Sequence, residues 1–130
     1  MRTIGIDFGT KRVGLAVSDE GGTFAFARKI IPNTKNLVSL VIVEAKGAGS
    51  TTIVIGESRN FKGEPNTIFP LAAAFGKELE KSGFTVRFEP EYLSSRQAES
   101  IQGKTDKLDA SAAAIILQSY LDKQHGRKTD

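Results

Sequence analysis

The chemistry available to this chain is narrowed first by what it lacks. There is no Cys, and the single His, His125, stands in a polar terminal stretch. Thiolate nucleophiles and zinc-thiolate sites are therefore excluded, and a Ser-His-Asp hydrolase would rest on a residue at the chain's fraying end. Carboxylates are left to do the work. Asp7, Glu91 and Asp109 are the candidates, because the elements outlined below bring their positions toward one edge of a sheet. Three carboxylates within a few ångström repel one another, so such a cluster calls for bound divalent cations, and oxygen-only ligation selects Mg²⁺ or Mn²⁺. Two such ions about 4 Å apart stabilise both the attacking and the leaving oxygen of an in-line phosphoryl displacement, with a metal-bound water as nucleophile. Each acid also has a plainer role. Asp7 suits a turn, bonding to the backbone of the connection that follows it, and Glu91 suits a solvated loop. Asp109, with Asp106 before it, suits the start of a helix, and Asp106 is the better cap of the two.

Basic residues flank the same places. Lys11 and Arg12 follow Asp7 closely, Arg59 and Lys62 lie in a loop after a central apolar run, and Arg96 comes soon after Glu91. All could meet phosphates around a metal site. A net charge of +3 and a pI near 9.3 suit a polyanionic partner without requiring one. Hydrophobic residues at 39% and charged residues at 25% give the balance of a folded soluble domain. No apolar run approaches a membrane span and no basic-then-apolar leader opens the chain, so a cytoplasmic protein without membrane contact is expected.

The elements that must position these residues follow from periodicity. Ile4, Ile6 and Phe8 alternate with Gly5 and Asp7, and Val13, Leu15 and Val17 alternate with Gly14 and Ala16, predicting a hairpin closed by Gly9-Thr10-Lys11. A third strand is predicted over Phe24 to Ile31, stopped by Pro32 and Asn33. Asn33 or Thr34 then caps a helix with Leu37, Leu40, Val41, Ala45 and Ala48 on its apolar face. The continuous run Ile53-Val54-Ile55 reads as a strand covered on both faces. Ile68, Leu71, Ala72, Phe75 and Leu79 trace a second helix, and Phe84, Val86 and Phe88 a fifth strand ended by Pro90. A short helix from Ser94 to about Ile101 and a last helix from about Thr105 through Leu108, Ala112, Ile115, Ile116 and Tyr120 complete the chain. One α/β domain over residues 1–121 and a polar tail over 122–130 are expected. Right-handed crossovers give a five-stranded mixed sheet of order 3-2-1-4-5, the first three strands antiparallel, with helices on both faces.

Against these residues the chain resembles the YqgF-type family, described as pre-16S rRNA nucleases or Holliday-junction-resolvase-like proteins with a ribonuclease H-like fold. Asp7-Phe8-Gly9-Thr10-Lys11-Arg12-Val13-Gly14-Leu15-Ala16 is similar to the family's opening D-x-G-x-K-R-x-G-x-A. Val54-Ile55-Gly56 with Asn60 and Gly63 resembles its middle loop, and Asp109-Ala110-Ser111-Ala112-Ala113 its last helix. The resemblance implies that Asp7, Glu91 and Asp109 are the acidic metal ligands for Mg²⁺ or Mn²⁺, and that Asn60 joins Lys11, Arg12, Arg59, Lys62 and Arg96 in contacting nucleic acid. There are departures. The usual D-E-R-L-T-[ST] stretch reads Pro90-Glu91-Tyr92-Leu93-Ser94-Ser95, and Tyr92 cannot supply the bidentate guanidinium of an arginine.

Three functions are compatible with the sequence. The first is a metal-dependent nuclease, with precursor ribosomal RNA as the substrate the resemblance implies and branched DNA as the alternative. An RNA-trimming enzyme can act as a monomer, whereas a symmetric resolvase works as a homodimer. The second is a non-catalytic nucleic-acid-binding module of the same fold, favoured by the losses beside Glu91. The third is a nucleotide site, because Gly5-Ile6-Asp7-Phe8-Gly9-Thr10 also resembles the phosphate loop of actin-like ATPases and sugar kinases, although those need two such domains.

Overall fold

The computed structural model describes residues 2–58, 69–91 and 107–124, with the side chains of Glu57, Ser58, Phe69, Glu91 and residues 107–111 outside that description. Chain order is β1 (Thr3–Phe8), β2 (Arg12–Ser18), β3 (Ala25–Pro32), α1 (Leu37–Gly47), β4 (Thr52–Ser58), α2 (Phe69–Lys81), β5 (Thr85–Glu91) and α3 (Lys107–Gln124).

The strands form one sheet of order β3-β2-β1-β4-β5. β1 pairs antiparallel with β2 and parallel with β4, so the strand that carries Asp7 is the middle one. Alternation along β1 divides the core in two. Ile4 and Ile6 pack with Leu37, Val41 and Ala45 of α1 and with Ala72, Phe75 and Leu79 of α2. On the other face, Ala16 of β2 and Val54 of β4 lie under Ala113, Ile116, Leu117 and Leu121 of α3. Full burial of each large aliphatic side chain contributes about 1.5–3 kcal/mol, so the four-residue stripe of α3 is sufficient to seat that helix. Gly5 is what lets it sit close. A Cβ there would lie 2.6 Å from the Leu117 Cβ and 3.1 Å from the Ala113 carbonyl oxygen.

The expected topology is the observed one, and the differences are local. α1 begins at Leu37, after a turn in which Leu37 N donates to Thr34 O at 3.0 Å; Thr34 Oγ1 accepts from Asn36 N at 3.2 Å. Leu40 and Leu71, expected in the core, are exposed. β5 does not stop at Pro90 but continues to Glu91. It is the edge strand, where a residue without an N–H is tolerated. α3 runs on to Gln124, beyond the expected start of the polar tail. Ile68 and the short helix expected over 94–101 lie outside the described residues.

Candidate active site

Asp7 is the fifth residue of β1, half-buried and opposite Gly14 of β2. It shares a face with Gly5, two residues earlier, and therefore stands on the α3 side of the sheet. Phe8 turns the other way and meets the Phe75 ring of α2, centroid to centroid 5.3 Å, which fixes this end of the strand.

β5 brings the second position. Glu91 is its last residue, in register with Ser58 of β4. Position 91 falls in the same alternation as Glu89, whose carboxylate accepts from Ser119 Oγ at 2.8 Å and Lys123 Nζ at 2.7 Å, both on α3. Positions 7 and 91 thus lie on one face, near the carboxyl ends of parallel strands separated by β4; Glu89 is level with Asp7, about 10 Å across the sheet, and position 91 is two residues further along. Asp109 is the third residue of α3, one turn before Ala113 and on the stripe that Ala113 and Leu117 share over Gly5. The backbone therefore puts positions 7, 91 and 109 on a single face. Only the Asp7 side chain of the three is described, and among the described residues no group of three His, Cys, Asp or Glu could hold a metal ion. The donor set at these positions is three carboxylates, which is the chemistry of a hard cation site.

The turn after Asp7 is tightly made. A Cβ at Gly9 would stand 2.5 Å from the Arg12 carbonyl oxygen. Asn33 braces the turn from the end of β3: its Nδ2 donates to Gly9 O at 2.7 Å and its backbone N–H to Lys11 O at 2.9 Å. Asn33 is thus a clamp on the hairpin rather than a helix cap, and it holds the exposed Lys11 and Arg12 beside Asp7. Arg59, Asn60, Lys62 and Arg96 lie outside the described residues.

Glu89 is the polar residue that sequence reasoning passed over. Only 4% exposed, it is the one buried carboxylate among the described residues. Its signal in the sequence was faint: an acid at an inward position of a strand, with Ser119 and Lys123 four apart on one flank of a helix.

A mixed five-stranded sheet in this order, helices on both faces and an acid on the middle strand define the ribonuclease H-like fold in its resolvase form. The chain belongs to the RuvX family, whose model, described as Holliday junction resolvase, matches residues 1–123. A protein of Chlorobaculum tepidum named "Putative pre-16S rRNA nuclease" is 35% identical over 133 residues, 93% of either chain. One of the same name from Anaeromyxobacter is 34% identical over 137 residues, 95% of this chain and 98% of its own. Among solved structures, Thermus thermophilus RuvC in complex with a Holliday junction superposes with a TM-score of 0.61 at 15% identity, covering 98% of each chain. The Fowlpox virus resolvase with junction DNA gives 0.58 at 16% identity, over 95% of this chain and 99% of its own. Those two likenesses are of fold.

Proposed function

We propose that this protein is a divalent-metal-dependent nuclease that hydrolyses phosphodiester bonds in structured nucleic acid, acting in the cytoplasm on the 5′ end of precursor 16S rRNA during ribosome biogenesis. The observation that carries this reading is Asp7 on the middle strand, on the α3 face, with positions 91 and 109 on that same face. Asp7, Glu91 and Asp109 would hold Mg²⁺ or Mn²⁺, which when bound supplies an activated water and charge neutralisation at the phosphate. Lys11 and Arg12 hold the sugar-phosphate backbone beside Asp7, and Arg59, Asn60, Lys62 and Arg96 extend that contact. Asn33 keeps the basic turn in place. RNA is chosen over DNA on the names of the curated relatives.

Two other readings have specific support. The family's description and the fold of RuvC favour branched DNA as substrate. Pro90 and Tyr92, where the family carries Asp and Arg, favour a binding module that has kept the fold without catalysis. One experiment separates all three. End-labelled precursor rRNA and a four-way DNA junction are incubated with Mg²⁺ or Mn²⁺, then with chelator, using native protein and Asp7→Asn. The proposal expects metal-dependent cleavage of the RNA that chelator and Asp7→Asn both abolish. Cleavage of the junction alone moves the substrate to DNA, and binding without cleavage in native protein and variant alike refutes the nuclease.

A further inference from the structure

Away from Asp7, an aromatic ring and two guanidinium groups line one groove. At the opposite end of β1, Arg2, Ser18, Asp19, Phe26, Arg28 and Ala48 line an open groove of about 510 Å³. Ser18 Oγ accepts from Thr3 N at 2.8 Å, which ties the groove floor to the first residue of β1. Val17, also in the lining, pairs with Ile4, three residues and about 10 Å along the strand from Asp7.

Phe26 is 55% exposed and Phe24, immediately before β3, is 56% exposed, so two large rings face water beside the groove. Neither contributes to either core cluster, and Phe26 stands opposite Val17 at the edge of the sheet. Of the two arginines, Arg28 donates through Nε to Glu44 Oε1 at 2.6 Å. Arg2 has only a loose contact, 3.9 Å from Glu20 Oε2 with Glu20 81% exposed, a pairing of little strength. The acid in the groove, Asp19, is turned to the backbone of the turn that follows it, with Oδ1 accepting from Thr23 N at 2.8 Å and Phe24 N at 3.0 Å. A ring that stacks on any base and a cation that meets a phosphate make the sequence-tolerant combination by which single strands are held.

We propose that this groove is a second nucleic-acid site, one that takes a single-stranded segment without metal, its base on Phe26 and its phosphate on Arg2. The site is independent of the carboxylates, so its occupancy is read by binding and not by cleavage. The test is fluorescence anisotropy with a labelled oligothymidylate, in chelator, for native protein, Phe26→Ala, Arg2→Gln and Leu71→Ala. Leu71 is a comparably exposed apolar residue on α2 and serves as the control. Phe26→Ala is expected to weaken binding between about fivefold and about a hundredfold, the range of one stacked base. Arg2→Gln is expected to lower the slope of log K against log salt by about 0.7. Leu71→Ala leaves affinity unchanged. The proposal is overturned if native protein does not bind, if Phe26→Ala binds like native, or if Phe26→Ala changes only the sedimentation behaviour, which would make the rings an interface between two copies. Because the nuclease reading depends on Asp7 and metal, either proposal can fail while the other holds.

Discussion

Adding one methyl group at Gly5 tests how the sheet and its last helix are fitted together. In Gly5→Ala the new carbon would stand 2.6 Å from the Leu117 Cβ, whereas ordinary contact begins at 3.4 Å, so about 0.8 Å must be absorbed. The neighbours cannot absorb it by turning a side chain, because the obstacle is a Cβ and, at 3.1 Å, a backbone carbonyl. Nor can β1 retreat easily, being hydrogen-bonded on both sides. α3 must lift. Overpacking of this kind costs about 1–3 kcal/mol. With an unfolding entropy of about 2.1 cal/mol/K per residue, a 130-residue chain loses about 4–11 °C in Tm. The lift moves position 109 relative to Asp7, and a displacement near 1 Å in a catalytic constellation costs up to about 100-fold in rate. Gly76→Ala is the matched comparison. Its Cβ would meet Phe88 Cζ at 3.1 Å and the Ile55 Cδ1 and Val86 Cγ1 tips at 3.3 Å. Those tips can give, and Ala gains about 1 kcal/mol of helix propensity over Gly, so its Tm should hold or rise. Calorimetry on both variants and cleavage assays on Gly5→Ala read the outcome. If Gly5→Ala melts within about 1 °C of native, the close seat of α3 on β1 is wrong.

Two further substitutions probe ion pairs on opposite sides of the sheet. Lys123→Met leaves the 4% exposed Glu89 carboxylate with Ser119 as its described α3 partner, so about 1–3 kcal/mol of stability should be lost in denaturant titration. Lys81→Met, which breaks only the exposed pair with Glu78, should lose almost none. The third prediction concerns acid. Lys29 Nζ at 2.9 Å, and then Arg28, hold the Glu44 carboxyl below the usual range. A depressed native pKa gives stability that is complete above the unfolded value, about 4.3, and is lost as pH falls through the lower native one. Glu44→Gln should therefore melt below native protein at neutral pH, with the gap closing as the pH is taken below about 4. A gap that is constant with pH would show that the pair contributes packing and no charge.

Strand and helix order were legible because periodicity was strong where burial was one-sided, as in β1 and β2, and continuous where it was two-sided, as at Ile53 to Ile55. The handedness of crossovers then fixed the sheet order. Less legible were features set by position rather than type. Pro90 reads as a stop until β5 is known to be the edge strand, and Leu40 and Leu71 read as core because periodicity gives a face but not its width. Lys123 reads as tail until Glu89 is seen to need a partner. For the candidate site, Asp7 was marked by being an acid in an apolar alternation. Asn33 was not, because a clamp on a turn twenty-four residues earlier leaves no trace in local sequence.

α3 is the last described element, and among the described elements it is the one that covers the face formed by Ala16, Gly5 and Val54. During synthesis, at about 5–20 residues per second, every strand leaves the ribosome before the helix that seats upon them. For that interval the nascent sheet has one finished side and one bare one, and position 109 is not yet opposite Asp7. A protein with this order of parts is assembled lid last, so an incomplete chain lacks one of the three carboxylate positions on which the proposed activity rests.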